Sequence, residues 1–241
     1  MSAYFITSTG TDIGKTYVTA GLIRHARLQG KTVSALKPVI SGFDPAQPEP
    51  SDTAKLLQSL GEEITPASLA RLSPYRFAAP LSPDMAAARE GRSVPFDALV
   101  SLCALAARAH QGTLFIEGVG GVMVPLDESR TVLDWMAALG LPLVMVTGSY
   151  LGTISHTLTA LDVVARRGLK VAALVVNQSP GDAPLGETMA VIARFAPTVA
   201  AFALPRRGHA GDSANADFGP LWQGLARGGD EPTCSEAGGG V

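Results

Sequence analysis

An apolar run, Tyr4-Phe5-Ile6-Thr7, leads through Ser8 and Thr9 into Gly10-Thr11-Asp12-Ile13-Gly14-Lys15-Thr16, and helical periodicity begins at once. A strand that turns through glycine into a helix aims the helix's first amides, together with one lysine, at a single anion. The usual G-x-x-x-x-G-K-[ST] pattern has glycine at position 9, where this chain has Thr9; Gly10 and Gly14 still give the loop the backbone freedom for a tight turn. In such a loop the Gly14 to Thr16 amides cradle the α and β phosphates. Lys15 reaches the β and γ phosphates, and the Thr16 hydroxyl holds Mg²⁺. A plain loop with a helix start is the competing reading.

Short apolar runs recur at 4–7, 32–36, 113–116, 143–147, 171–176 and 199–202, separated by segments of helical period. That alternation predicts a single α/β domain of the P-loop NTPase kind over 1–206, a mostly parallel central sheet with helices on both faces. Helices are expected at 15–29, 51–60, 83–90, 96–110, 132–139, 153–167 and 185–195, several of them stopped by glycine. Residues 43–50, with three prolines, read as a surface loop, and 207–241 as a Gly/Ala/Asp-rich tail, partly packed or mobile and dispensable for chemistry. A net charge of −2 without a basic stripe argues against nucleic acid as a partner. Two cysteines far apart suit a reducing cytoplasm, and the absence of a basic, apolar leader or a membrane-length apolar run predicts a soluble, unprocessed protein.

In an open parallel sheet, ligands bind beyond the carboxyl ends of the strands. Lys37, in Lys37-Pro38-Val39-Ile40-Ser41-Gly42, is placed to neutralise a transferring phosphoryl group, with Ser41-Gly42 able to bind an anion or substrate; a solvated lysine before a proline bend is the plainer alternative. Glu117 ends a fully apolar strand, where a carboxylate can coordinate Mg²⁺, or serve as an ordinary turn residue. Asp52 is a second candidate carboxylate, although Ser51 as N-cap with Asp52 in the first turn is also what a helix start requires. Asn177 could read a purine edge or form a turn; without the lysine and aspartate of N-K-x-D, adenine is favoured over guanine. The 148–156 segment opens a helix whose N-terminus could hold a carboxylate, with His156 satisfied on that helix.

Taken together, Gly10 through Thr16, Lys37 through Gly42, Ser51-Asp52, Ser73 through Phe77 with Ala79 through Pro83, Glu117 through Gly121 and Leu151 through Ile154 resemble dethiobiotin synthetases, over about residues 4–205. The resemblance implies an ATP-dependent cyclo-ligase of biotin biosynthesis acting on 7,8-diaminononanoate and CO₂. A substrate amine traps CO₂ as a carbamate, the carbamate takes the γ-phosphoryl group, and the second amine closes the ureido ring. It further implies catalytic roles for Lys15, Lys37 and Thr11, and substrate contacts from Ser41, Gly118, Leu151 and Ser155. Nucleotide contacts would come from Asp12, Ile13, Gly14, Lys15, Thr16, Tyr17, Asn177 and Pro205, and Mg²⁺ ligands from Thr16, Asp52 and Glu117. Many members have glycine where this chain has Ser8, and an amide where it has Ser155. A homodimer is also implied, with 148–156 near the subunit contact; the apolar positions Ile154, Leu158, Leu161, Val164 and Ala165 recur at helical spacing there. A P-loop switch ATPase is the rival of another class, but the additional lysine such proteins carry before the glycine–lysine pair is missing from 8–13. An amidotransferase-like ligase would need a glutaminase unit that the chain has no room for.

Overall fold

The computed structural model describes residues 2–181, 183–206 and 216–228. In chain order the elements are β1 (Ser2–Ser8), α1 (Lys15–Leu28), β2 (Val33–Leu36), β3 (Val39–Ser41), α2 (Asp52–Leu60), α3 (Pro66–Leu72), β4 (Tyr75–Phe77), α4 (Pro83–Arg89) and α5 (Phe96–Ala109). There follow β5 (Thr113–Glu117), α6 (Val132–Leu139), β6 (Leu143–Gly148), α7 (Thr153–Arg166), β7 (Val171–Asn177), α8 (Leu185–Phe195), β8 (Ala201–Leu204) and α9 (Gly219–Gly228). Six strands form one sheet in the order β2-β5-β1-β6-β7-β8, parallel at every pairing.

Alternate residues of each strand enter different cores. Phe5, Leu114, Ile116, Met145 and Leu174 pack with Trp135 and Val164 on one face, while Tyr4, Ile6, Phe115, Val144 and Val175 pack with Leu22 and Leu57 on the other. Burial on both faces explains why the strands read as unbroken apolar runs. Helix ends follow local chemistry: Thr131 and Asp134 form a capping box on α6, and Gly61 and Gly140 end α2 and α6 in the left-handed conformation.

Three features differ from the sequence expectation. The last strand covers 201–204 rather than 199–202, because the Val199 amide turns back to the Ala196 carbonyl and the ladder continues to Leu204, which pairs with Asn177 and is buried. The segment 39–77 contributes two short parallel strands, β3 and β4, and the helix α3, whose Thr65–Ser68 capping box and Pro66 mark its start. Helix α9 forms within the segment assigned to the tail, and Phe218, Leu221 and Leu225 are buried. Phe218 lies so close on α1 that a β-carbon at Gly21 would overlap its ring, and the Tyr4 hydroxyl donates to the Leu225 carbonyl at 2.7 Å. The remainder of 207–241 lies outside the described residues. Among the described residues, no helix is long and apolar enough to cross a membrane.

Candidate active site

β1 and β5 run side by side with Ile6 level with Glu117, so the loop leaving β1 and the carboxylate ending β5 open on the same sheet edge. The loop passes through the left-handed region at Asp12 (φ 57°) and Gly14 (φ 98°). A short polar side chain tolerates that region as a single residue. At Gly14 glycine is required twice over, since a β-carbon there would also overlap the Asn177 amide. Gly14 is the N-cap of α1, no side chain caps the helix, and α1's positive dipole end faces a cavity of about 970 Å³.

Three cavity residues form a charge cluster with Glu117 behind them. The Lys15 ammonium donates to Ser8 Oγ at 3.0 Å and to the Gly10 carbonyl at 3.2 Å. Burial first, and the neighbouring Lys37 second, push its pKa down to about 8. Lys37 is also buried, but its Nζ lies 2.8 Å from Glu117 Oε1, 2.8 Å from the Gly118 carbonyl and 3.5 Å from Asp52 Oδ2. Burial works against its charge; the two carboxylates outweigh that and raise its pKa above the ordinary lysine value. The solvated-lysine reading therefore fails. Asp52 follows the same logic with the opposite sign: burial, the largest influence, disfavours its charge, and Lys37, the Thr16 hydroxyl, Lys55 and Lys15 together outweigh it and hold the carboxyl below its usual range. Ser51 does cap α2, accepting from the Ala54 amide at 3.1 Å, so Asp52 serves the helix start and faces the site at once.

Glu117 has no exposed surface. Its Oε1 accepts from Thr16 Oγ1 at 2.7 Å and from Lys37 at 2.8 Å, whereas its Oε2 is buried with no hydrogen-bond partner among the described residues. An orphaned carboxylate oxygen beside a hydroxyl and the Asp52 carboxylate is an all-oxygen donor set, suited to a hard divalent cation. Two carboxylates are too few for an all-protein cage, and Mg²⁺ characteristically completes its shell with water and substrate phosphate.

The cavity is lined by Thr11, Asp12, Gly14, Lys15, Thr16, Tyr17, Lys37, Ser41 and Asp52, nine of the residues expected to bind ligand. Gly118 contributes its carbonyl to Lys37 rather than a surface to the cavity. The Ile13 carbonyl accepts from Asn177 Nδ2 at 2.8 Å, so the Asn177 amide braces the loop from β7. Pro205 is exposed just beyond β8. Leu151 and Ser155, also exposed, sit at the start of α7 outside the cavity lining, and His156 pairs with the Tyr150 hydroxyl at 2.9 Å. Of the apolar repeat of α7, Leu161 and Val164 are buried in the chain's own core beside Thr157 and Ala160, Ile154 and Leu158 are half-buried, and Ala165 is exposed. Sequence reasoning missed Ser8, which it treated as a departure from pattern although its hydroxyl is the acceptor that holds Lys15. It also missed Pro80 and Leu81 as cavity walls.

A family described as an AAA domain matches residues 2–209. The ATP-dependent dethiobiotin synthetase BioD of Acidiphilium cryptum is 52% identical over 178 residues, 73% of this chain and 80% of the relative. The protein of the same name from Phenylobacterium zucineum is 48% identical over 213 residues, 87% of this chain and 91% of the relative. Among solved structures, chloroplast FtsY from Physcomitrella patens superposes with a TM-score of 0.51 at 13% identity, covering 93% of this chain and 65% of that one, a likeness of fold alone.

Proposed function

This chain belongs to the dethiobiotin synthetase family, and on that premise we propose how its residues divide the family's reaction. The enzyme is an ATP-dependent ligase that forms carbon–nitrogen bonds, closing the ureido ring of dethiobiotin from 7,8-diaminononanoate, CO₂ and ATP. The observation that carries the assignment of roles is the convergence of Lys15, Lys37, Thr16, Asp52 and Glu117 about one cavity.

The reaction needs no protein nucleophile. One substrate amine adds to CO₂ and loses a proton, giving a carbamate; a carbamate oxygen attacks the γ-phosphorus, expelling ADP; the second amine attacks the carbonyl carbon, expelling phosphate. The protein's part is to place these groups in line and to neutralise charge as it develops. Lys15 and Lys37 supply the cations, Thr11 and Ser41 hydrogen-bond the carbamate and phosphoryl oxygens, and the α1 amides hold the β-phosphate. Bound Mg²⁺ would neutralise the β- and γ-phosphate oxygens, held by Thr16, Asp52 and Glu117.

Asn177 favours adenine because the atom it has free is an acceptor. Its Nδ2 donates to the Ile13 carbonyl, and its Oδ1 is buried without a partner among the described residues. An acceptor in that place suits the adenine amino group and repels the guanine carbonyl. Tyr17 and Pro205 flank the same nucleotide.

Leu151 and Ser155 stand outside the cavity of their own chain, which supports a homodimer in which the start of α7 holds the carboxylate of a substrate whose amines face the partner's loop. Mixing Lys15→Ala with Ser155→Trp chains, each inactive alone, should then restore about a quarter of full activity if chains pair at random; no recovery in proven mixed dimers removes the shared site. The protein works in the cytoplasm. Carbon-13 bicarbonate supplied with MgATP and 7,8-diaminononanoate should label the ureido carbon of the product. ATP turnover without a labelled cyclic urea would overturn this reading.

A further inference from the structure

The ends of β1 and β6 and the start of α7 meet through four threonine hydroxyls. Thr147, on β6, is fully buried, and its Oγ1 lies 3.0 Å from Thr9 Oγ1, 3.0 Å from Thr153 Oγ1 and 2.9 Å from Thr157 Oγ1. Proton accounting orders these contacts, because a hydroxyl has one proton to donate and two lone pairs to accept with. Thr153 donates to the Gly148 carbonyl at 2.6 Å, so toward Thr147 it can only accept. Thr147 therefore donates to Thr153, and both Thr9 and Thr157 donate to Thr147. One donated and two accepted bonds fill the hydroxyl's capacity. A one-way chain thus runs from Thr9 through Thr147 and Thr153 to the Gly148 carbonyl.

The two ends of that chain lie at functional places. Thr9 immediately precedes Gly10 in the nucleotide loop, and its amide also bonds the Val146 carbonyl at 3.0 Å. Thr153 is the first residue of α7, after Gly152 with φ 96°, and no side chain caps that helix. Thr157 adds a second tether one turn further along. We infer that Thr147 is a positioning residue that fixes the nucleotide loop and the first turn of α7 in one arrangement. It acts through Thr9 and Thr153 and touches neither ligand. The loop half of this inference stands on the hydrogen bonds alone; the α7 half rests on the proposed role of Ser155 and Leu151 with the substrate carboxylate, whichever protomer's loop faces it.

Valine at 147 keeps the shape of threonine and removes the donor and both acceptors, leaving the half-buried Thr9 to turn toward water. The test compares wild type, Thr147→Val and Thr147→Ser by calorimetric binding of MgADP and by steady-state kinetics with the diamine. Loss of the buried hydroxyl should raise both the MgADP Kd and the diamine KM about tenfold, with kcat less affected. Serine should restore both to within about twofold, since the hydroxyl rather than the methyl makes the bonds. Unchanged affinities with a lowered thermal midpoint would reduce Thr147 to core packing and overturn the inference, as would a serine variant as impaired as the valine one. Should Thr147→Val fail to fold, Thr9→Val at the loop end must show the same rise in MgADP Kd, and normal affinity there overturns the inference. A wild-type protein that makes no cyclic urea removes the α7 half alone, because MgADP binding still decides the loop half.

Discussion

Lys37 and Glu117 form a buried pair, Nζ to Oε1 at 2.8 Å, at the ends of two neighbouring parallel strands. Neither charge is tolerable there alone: transfer of a lone carboxylate or ammonium out of water costs several kcal/mol even after relaxation. The pair offsets the cost of burying either charge, and Asp52, 3.5 Å from the same ammonium, leaves the cluster with an excess of negative charge before Lys15 is counted. That balance suits a site meant to receive a cation and a polyphosphate together.

Lys37→Ala should therefore act twice. Turnover should fall about a hundredfold from lost phosphoryl charge stabilisation. Folding should weaken by about 3–5 kcal/mol because Glu117 is left without its partner. Urea unfolding of Lys37→Ala beside the Lys37→Met/Glu117→Gln double variant separates the two effects, since the double variant should recover most of the stability and none of the turnover. Equal instability in both would show that packing, not charge, sets the cost.

Glu117→Gln keeps an acceptor for Thr16 but is a weaker ligand for a hard cation. The Mg²⁺ concentration needed for half-maximal activity should rise more than the nucleotide Kd does, and Asp52→Asn should behave likewise to a smaller extent. An unchanged Mg²⁺ requirement in both variants would return Asp52 to capping α2 and Glu117 to pairing with Lys37.

Lys15 titrates near pH 8 in the free protein, chiefly because it is buried and secondly because Lys37 is close. Bound phosphate holds it protonated, so above that pH binding must take up a proton. MgADP affinity should be level at lower pH and fall about tenfold per unit above pH 8. Stability runs the other way: between about 8 and the unfolded value of 10.5 the folded chain holds fewer protons at this site than the unfolded one, so this group's contribution to stability rises with pH across that window. Affinity that stays level to pH 9.5 would contradict the lowered pKa.

Asn177→Ala should weaken MgADP about tenfold, and pyrophosphate by a smaller factor, because the amide braces Ile13 and, in the proposed role, reads the base through Oδ1. Unaltered pyrophosphate binding would leave base reading as its sole role. Unaltered binding of both would remove it from the nucleotide site.

The central sheet was legible because β1, β5, β6 and β7 are buried on both faces and so appear as bare apolar runs ended by a polar residue. β3 and β4 were not, since three residues after Pro38 or Pro74 are too few to show a period. Lys15 and Thr16 could be read from the loop pattern, and Glu117 from its place at the end of a run. Their pairing could not: Lys37 and Glu117 are 80 residues apart and meet only because β2 lies beside β5. Ser8 shows the limit most clearly. A hydroxyl at a strand end carries no periodic signal, and its role with Lys15 emerges only once the loop folds back. For α7, helical spacing correctly gave an apolar face, but periodicity cannot say whether the chain's own sheet or a second subunit covers it.

The central claim, that this cavity couples phosphoryl transfer from ATP to closure of a ureido ring, is tested most directly by counting products. Purified protein given MgATP, bicarbonate and limiting 7,8-diaminononanoate should form ADP, phosphate and dethiobiotin in equal amounts and stop when the diamine is exhausted. ATP hydrolysis that continues at the same rate without diamine, with no cyclic urea formed, would contradict the account.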